Sequence, residues 1–278
     1  MESQKPDYSD HSLWRLLLTV GMRGVEAVFL NVKTRQSEPY LSRKWECADA
    51  DVLKHIEDAV YDDLLLPDDY DTSILVRPRA TLLLPPDMTD PEDTDSLAAA
   101  LEVVDSSETK DVWCEPMGEA IAVYSTPAGV RGFLGRTFLT EDVHHVLAPL
   151  VNHFTPKAVA EGGEKMWVHL HPGGADIVAF RDGRLLHAGC WSCAPGLDAV
   201  YYILFAWRSL GFDPARGELM VSGSEELRRE AMPLLRRHVN YVSLTVTNMA
   251  VGYALARGVS LSGALTAWGD GTACRTYE

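Results

Sequence analysis

The sequence predicts an α/β protein made of two topologically related lobes that face each other across a cleft. Three observations carry this. Residues 165–191 hold three apolar runs separated by Pro172-Gly173-Gly174 and by Asp182-Gly183, the pattern of a three-strand meander. A helix-like run, 197–210, follows at once. A similar order of three strand candidates and then a helical run opens the chain. The length of 278 residues suits two such units, at roughly 100–200 residues per domain.

Residues 1–11 are expected to be a disordered leader. Residues 12–20 are apolar, Gly21-Met22-Arg23-Gly24 turns the chain, 25–32 make a second strand and 38–45 a weaker third. From 49 to 66, Val52, Leu53, Ile56, Val60 and Leu64 share one helical face. Asp49 or Asp51 is placed to cap that helix, and Pro67-Asp68-Asp69 to end it. Residues 73–76 and 81–84 read as strands broken by Pro78 and closed by Pro85-Pro86. The acidic segment 87–111 begins with a turn-rich stretch, 87–95, expected to be a solvated loop that caps a helix over 96–104. Residues 112–114 and 119–125 read as strands, with a turn at 127–129. A helix is expected over 140–152, with Glu141 and Asp142 in its first turn.

Pro156, Gly162 and Gly163 punctuate a boundary, giving a first lobe at 12–156 and a second at 162–278. After the meander, 197–210 is apolar nearly all round and should be buried between layers. Residues 218–222 form a strand ending at Gly223, Ser224-Glu225-Glu226 opens a helix to 237, and 241–246 is a further strand. A short helix is expected at 248–256, and the small-residue tail beyond 258 should be loosely held.

The apolar fraction of 46% and the charged fraction of 23% are those of a globular protein with a sizeable core. A formal net charge of -15 repels polyanions and argues against nonspecific nucleic-acid binding. No apolar run approaches the ~20 residues of a transmembrane helix. The polar N-terminus lacks the apolar centre of a secretion signal, so a cytoplasmic location is expected. The five cysteines, Cys47, Cys114, Cys190, Cys193 and Cys274, are an odd number without such a signal, which argues against a disulfide framework.

Cys190-Trp-Ser-Cys193 stands between a strand and a helix, the setting of a thiol redox pair, although two structural thiols fit the surrounding meander better. A metal site joining these cysteines to His187 or His169 lacks a second ligand cluster, so no metal is expected. His144, His145 and His153 read as ordinary surface or core histidines. Asp176 lies within a strand and is expected to face solvent. Asp270-Gly271-Thr272 mimics a phosphate loop but lies beyond the elements that would frame it. Neither a Gly-x-Ser-x-Gly elbow nor a Walker loop is present.

The run His-Pro-Gly-Gly-Ala-Asp-Ile-Val-Ala-Phe-Arg-Asp-Gly-Arg-Leu-Leu from His171 is joined by Ala-Val-Tyr-Tyr-Ile-Leu-Phe-Ala-Trp from Ala199 and Glu-Leu-Met-Val-Ser-Gly from Glu218. Together they resemble a bacterial family of unknown function with an actin-like ATPase (ribonuclease H-like) fold. The resemblance runs over most of 12–246. Fold relatives include the bacterial cell-division actin and the actin-like protein of the type IV pilus platform. The resemblance implies two glycine hairpins whose turn amides cradle phosphate and whose carboxylates hold a metal-bound water, plus an adenosine loop. On this chain those positions are Gly21 and Gly24, Gly173 and Gly174, and Ser222 and Gly223. The acids are missing: Leu18 or Thr19 stands at the first hairpin and His171 at the second. Phosphoryl transfer depends on metal ions to offset developing charge. The resemblance therefore implies a vestigial nucleotide site with no catalytic residue, ATP and magnesium being the ligands the fold offers. It implies a scaffold or interaction protein, working through a protein partner or self-association. An ATPase or phosphotransferase using the cleft is the alternative.

Overall fold

The computed structural model describes residues 10–33, 37–63, 70–138, 142–171, 173–193 and 196–245. Asp10 and His11 belong to the fold rather than to a leader. The Asp10 carboxylate accepts the Ser12 amide of a short 3-10 turn, and the His11 ring lies 4.5 Å from that of Tyr70. Strands β1 (Trp14–Gly21) and β2 (Gly24–Asn31) form a hairpin closed by Gly21 opposite Gly24, and β3 (Ser37–Lys44) continues it. Helix α1 (Val52–Asp58) is preceded by a 3-10 turn and continued by a π turn to Asp63. It buries Val52 and Ile56 on the expected face. Neither expected cap forms: Asp51 makes no capping bond, and Asp49 pairs instead with Arg79 at 3.1 Å. Residues 67–69, expected to end this helix, lie outside the described residues.

β4 (Asp71–Arg77) and β5 (Ala80–Leu84) follow, and Pro78 divides them into different sheets. Helix α2 (Thr94–Leu101) starts two residues before its expected position, because the Asp93 carboxylate accepts the Ser96 amide and caps it. β6 (Lys110–Met117) and β7 (Ala120–Pro127) form a hairpin. Two elements depart from the sequence reading. Helix α3 (Val130–Phe138) forms despite Gly132 and Gly135, because Val130, Phe133 and Leu134 give it a buried stripe. The expected helix over 140–152 opens instead as β8 (Val143–His145), whose residues add to β4 as a parallel strand. The helix proper, α4 (Ala148–Glu161), starts with Pro149 in its first turn and contains Pro156 in its interior. The expected break at Pro156 is thus inside a helix, which ends at Gly162 with φ of 63°.

The meander forms as β9 (Glu164–His171), β10 (Gly174–Arg181) and β11 (Arg184–Ser192). Asp182 and Gly183 take φ of 51° and 82°, the two positive values a type I′ turn needs. Helix α5 (Leu197–Ser209), β12 (Glu218–Gly223), α6 (Glu225–Leu235) and β13 (Tyr241–Leu244) complete the described chain. Residues 248–256, the tail and Asp270-Gly271-Thr272 lie outside it. α5 is not buried all round. Ala199, Val200, Ile203, Ala206 and Trp207 face inward, whereas Leu197, Tyr201 and Phe205 are exposed.

The strands assemble into two five-stranded sheets of the same plan, β3-β2-β1-β4-β8 and β11-β10-β9-β12-β13. In each, the first three strands are antiparallel and the last two run parallel to the first. A three-stranded sheet, β5-β7-β6, is inserted between β4 and β8. One core runs through the first sheet and α4 and takes in Trp167, Val178 and Phe180 of the second sheet. The other face of the second sheet carries Ile177, Ala179 and Leu219 against α5 and α6. α4 joins the halves through Phe154, whose ring stacks on Trp167 at 4.2 Å.

Candidate functional site

The two glycine hairpins converge. A Cβ placed on Gly173 would lie 3.7 Å from the Cβ of Arg23, at the tip of the first hairpin. Arg23 Nε donates to Ser192 Oγ of β11 at 2.9 Å, bridging the halves. Trp45 braces the same tip, its Nε1 donating to the Met22 carbonyl at 2.9 Å. Between these elements lies a cavity of about 520 Å³. Its wall carries five basic side chains (Arg23, Arg43, Lys44, Arg77 and Arg79) against three acidic ones (Glu26, Glu46 and Asp49). Two of these bases are already paired, Arg77 with Asp176 and Arg79 with Asp49.

Of the residues matched to a nucleotide site, Gly21, Gly24 and Gly173 line this cavity, and Gly174, Ser222 and Gly223 do not. Backbone crowding explains the latter glycines. A Cβ on Gly174 would lie 1.9 Å from the Trp191 carbonyl oxygen, and one on Gly223 would lie 1.9 Å from that of Leu170. Gly223 takes φ of 100°, a conformation open to glycine. Ser222 is buried, and its hydroxyl donates to the Val168 carbonyl at 3.0 Å. It also contacts His169 Nδ1 at 3.2 Å. Serine, histidine and aspartate thus come near one another, yet this hydroxyl is engaged by backbone and stands off the cavity.

Behind the hairpins lies a feature absent from the sequence reading. Asp176 is 1% exposed and does not face solvent. Register places Cys190, Asp176, His169 and Ser222 in one row across four strands of the second sheet. Arg77, at the end of β4 in the first sheet, reaches across to this row. Its Nη2 donates to Asp176 Oδ2 at 2.9 Å, and its Nε contacts Oδ1 and Oδ2 at 3.2 and 3.3 Å. His171 Nε2 lies 3.4 Å from Oδ1. Although burial opposes it, the Arg77 charge holds the Asp176 carboxyl well below the usual range, with His171 adding to the effect. Gly21 makes room for the arginine, since a Cβ there would meet Arg77 Cβ at 3.3 Å.

The alternation of β10 was the available signal for Asp176. Val178 and Phe180 share its parity and lie in the first core, while Ile177 and Ala179 lie in the second. A strand apolar on both faces leaves no wet side for an acid.

Cys190 and Cys193 are unpaired thiols. Burial, with Asp176 close by, pushes the Cys190 thiol well above its ordinary range, and burial raises Cys193 too. Cys190 lies on β11 rather than at a helix N-terminus, where a helix dipole would lower a thiol's pKa.

Among the described residues no group of three or more His, Cys, Asp or Glu is placed to hold a metal ion. Asp176 is occupied by a guanidinium and Asp49 pairs with Arg79, while Glu26 of the first hairpin and Glu46 line the cavity.

The family described as "Protein of unknown function (DUF3822)" matches residues 4–242. The chain belongs to this family. A Bacteroides thetaiotaomicron protein with an actin-like ATPase fold and unknown function superposes with a TM-score of 0.74 at 16% identity, covering 91% of this chain and 99% of that one. The likeness establishes that the chain has the actin-like ATPase fold. A chain of the PilM-PilN type IV pilus biogenesis complex matches with a TM-score of 0.45 at 12% identity, covering 91% of this chain and 95% of its own. The ethanolamine utilization protein EutJ from Carboxydothermus hydrogenoformans matches at 0.40 and 8% identity, over 91% and 90%. No curated protein matches. No helix among the described residues is long and apolar enough to cross a membrane.

Proposed function

We propose that this chain is a non-catalytic interaction protein of actin-like fold. The carrying observation is the buried Arg77–Asp176 pair. A carboxylate useful for metal-dependent phosphoryl transfer must be open to a hydrated cation. Asp176 instead accepts a two-pronged arginine from the facing sheet, which already supplies the neutralising charge. The pair ties the halves together behind the cavity.

A second reading, a nucleotide held without turnover, is favoured by the glycine turns at Gly21, Gly24 and Gly173, which line the cavity. Calorimetric titration with ATP and with ADP, each with and without magnesium, separates the readings. The interaction reading expects no saturable heat. The second expects binding indifferent to magnesium. Binding that strengthens tenfold or more with magnesium would contradict both.

A further inference from the structure

Helix α5 leaves one stripe in solvent. Leu197 is 72% exposed, Tyr201 61% and Phe205 49%. The i, i+4, i+8 spacing aligns them along one side of the helix. Asp198 and Arg208 are exposed at its two ends. Trp191 and Tyr202 flank the stripe, their rings 5.1 Å apart, and Tyr201 stacks with Phe205 at 6.2 Å. Exposed aromatics packed on each other, with opposite charges at the rims, form the pattern of an association surface.

The charges choose the occupant. Asp198 and Arg208 lie five residues on either side of Ile203, and Tyr201 and Phe205 two on either side. A twofold axis level with Ile203 would set Asp198 of one copy against Arg208 of the other, and Tyr201 against Phe205, with each contact made twice. A parallel arrangement would set like charges together. We propose that α5 pairs antiparallel with the α5 of a second copy of this chain, as a weak homodimer. The stripe from Leu197 to Arg208 is about 16 Å long, so the contact falls at the small end of protein interfaces, below about 1,200 Å². The inference deepens the interaction reading and rests on it.

Sedimentation equilibrium of the full chain at up to about 100 µM, a range suited to such small interfaces, tests the pairing. The wild type is expected to dimerise, and Phe205→Glu to weaken the dimer at least tenfold. Arg208→Asp places two aspartates opposite each other twice over and should cost about tenfold, less at high salt. Adding Asp198→Arg to Arg208→Asp should restore the dimer. Within one helix these residues are about 15 Å apart, so rescue reports the contact between copies. Thermal melts confirm that each variant folds. A wild type that stays monomeric, a dimer that survives Phe205→Glu, or a double swap that fails to rescue would each overturn the proposal. A monomer without nucleotide turnover removes this pairing alone. Turnover by a dimer removes the interaction reading alone.

Discussion

Truncating Arg77 would strand the Asp176 carboxylate in the core. Removing one partner of a buried pair costs about 3–5 kcal/mol, so Arg77→Ala should lower the urea midpoint sharply. Arg77→Met combined with Asp176→Leu should recover most of that loss, since no lone charge remains. The buried His145 and the half-buried His169 and His187 set the acid limb of stability. Burial pushes His169 and His187 down to about 4 and His145 to about 3. Unfolded histidine titrates near 6.5, so between that pH and about 4 the unfolded chain binds more protons and stability is lost as the pH is lowered. His144 behaves oppositely. Hydrogen bonds that its ring donates to the Asp142 and Glu115 carboxylates hold it up at about 9. Its contribution is complete below pH 6.5 and is lost as pH rises through 9, modestly because its side chain is 43% exposed. The melting temperature should therefore peak near neutral pH, and His144→Gln should flatten the alkaline limb. An alkaline limb unchanged in that variant would contradict this account. Iodoacetamide should modify Cys190 slowly at neutral pH, because its thiolate is disfavoured by burial beside Asp176.

Glycines divide the elements into those that need them and those that do not. Gly223→Ala forces a methyl into the Leu170 backbone at positive φ. Strained φ alone costs roughly 1–3 kcal/mol, so a total loss of at least about 3 kcal/mol is expected by chemical denaturation. Gly135→Ala meets nothing within 4 Å in an exposed turn of α3. It should stabilise by about 0.5–1 kcal/mol. The meander was legible because alternating apolar runs and Asp182-Gly183 are local signals. α3 was not, because its two glycines depress helix propensity and only tertiary burial of Phe133 and Leu134 restores it. β8 was hidden because His144 and His145 take strand geometry from β4, a partner 69 residues upstream.

At the scale of the molecule, the duplicated sheet order was readable as element order, while the pairing of Arg77 with Asp176 was not. Those residues lie 99 positions apart, and no local pattern joins them. The missing hairpin acids were visible in the sequence, but not the arginine that occupies the acid remaining nearby. A separate contact makes the halves interdependent: Phe154→Ala, which removes the stack on Trp167, should cost about 3–5 kcal/mol and melt both sheets in one transition. The most direct measurement is phosphate release from ATP with magnesium, comparing the wild type with Asp176→Asn. The account predicts no release above the protein-free rate from either. Magnesium-dependent turnover by the wild type, lost in Asp176→Asn, would contradict it.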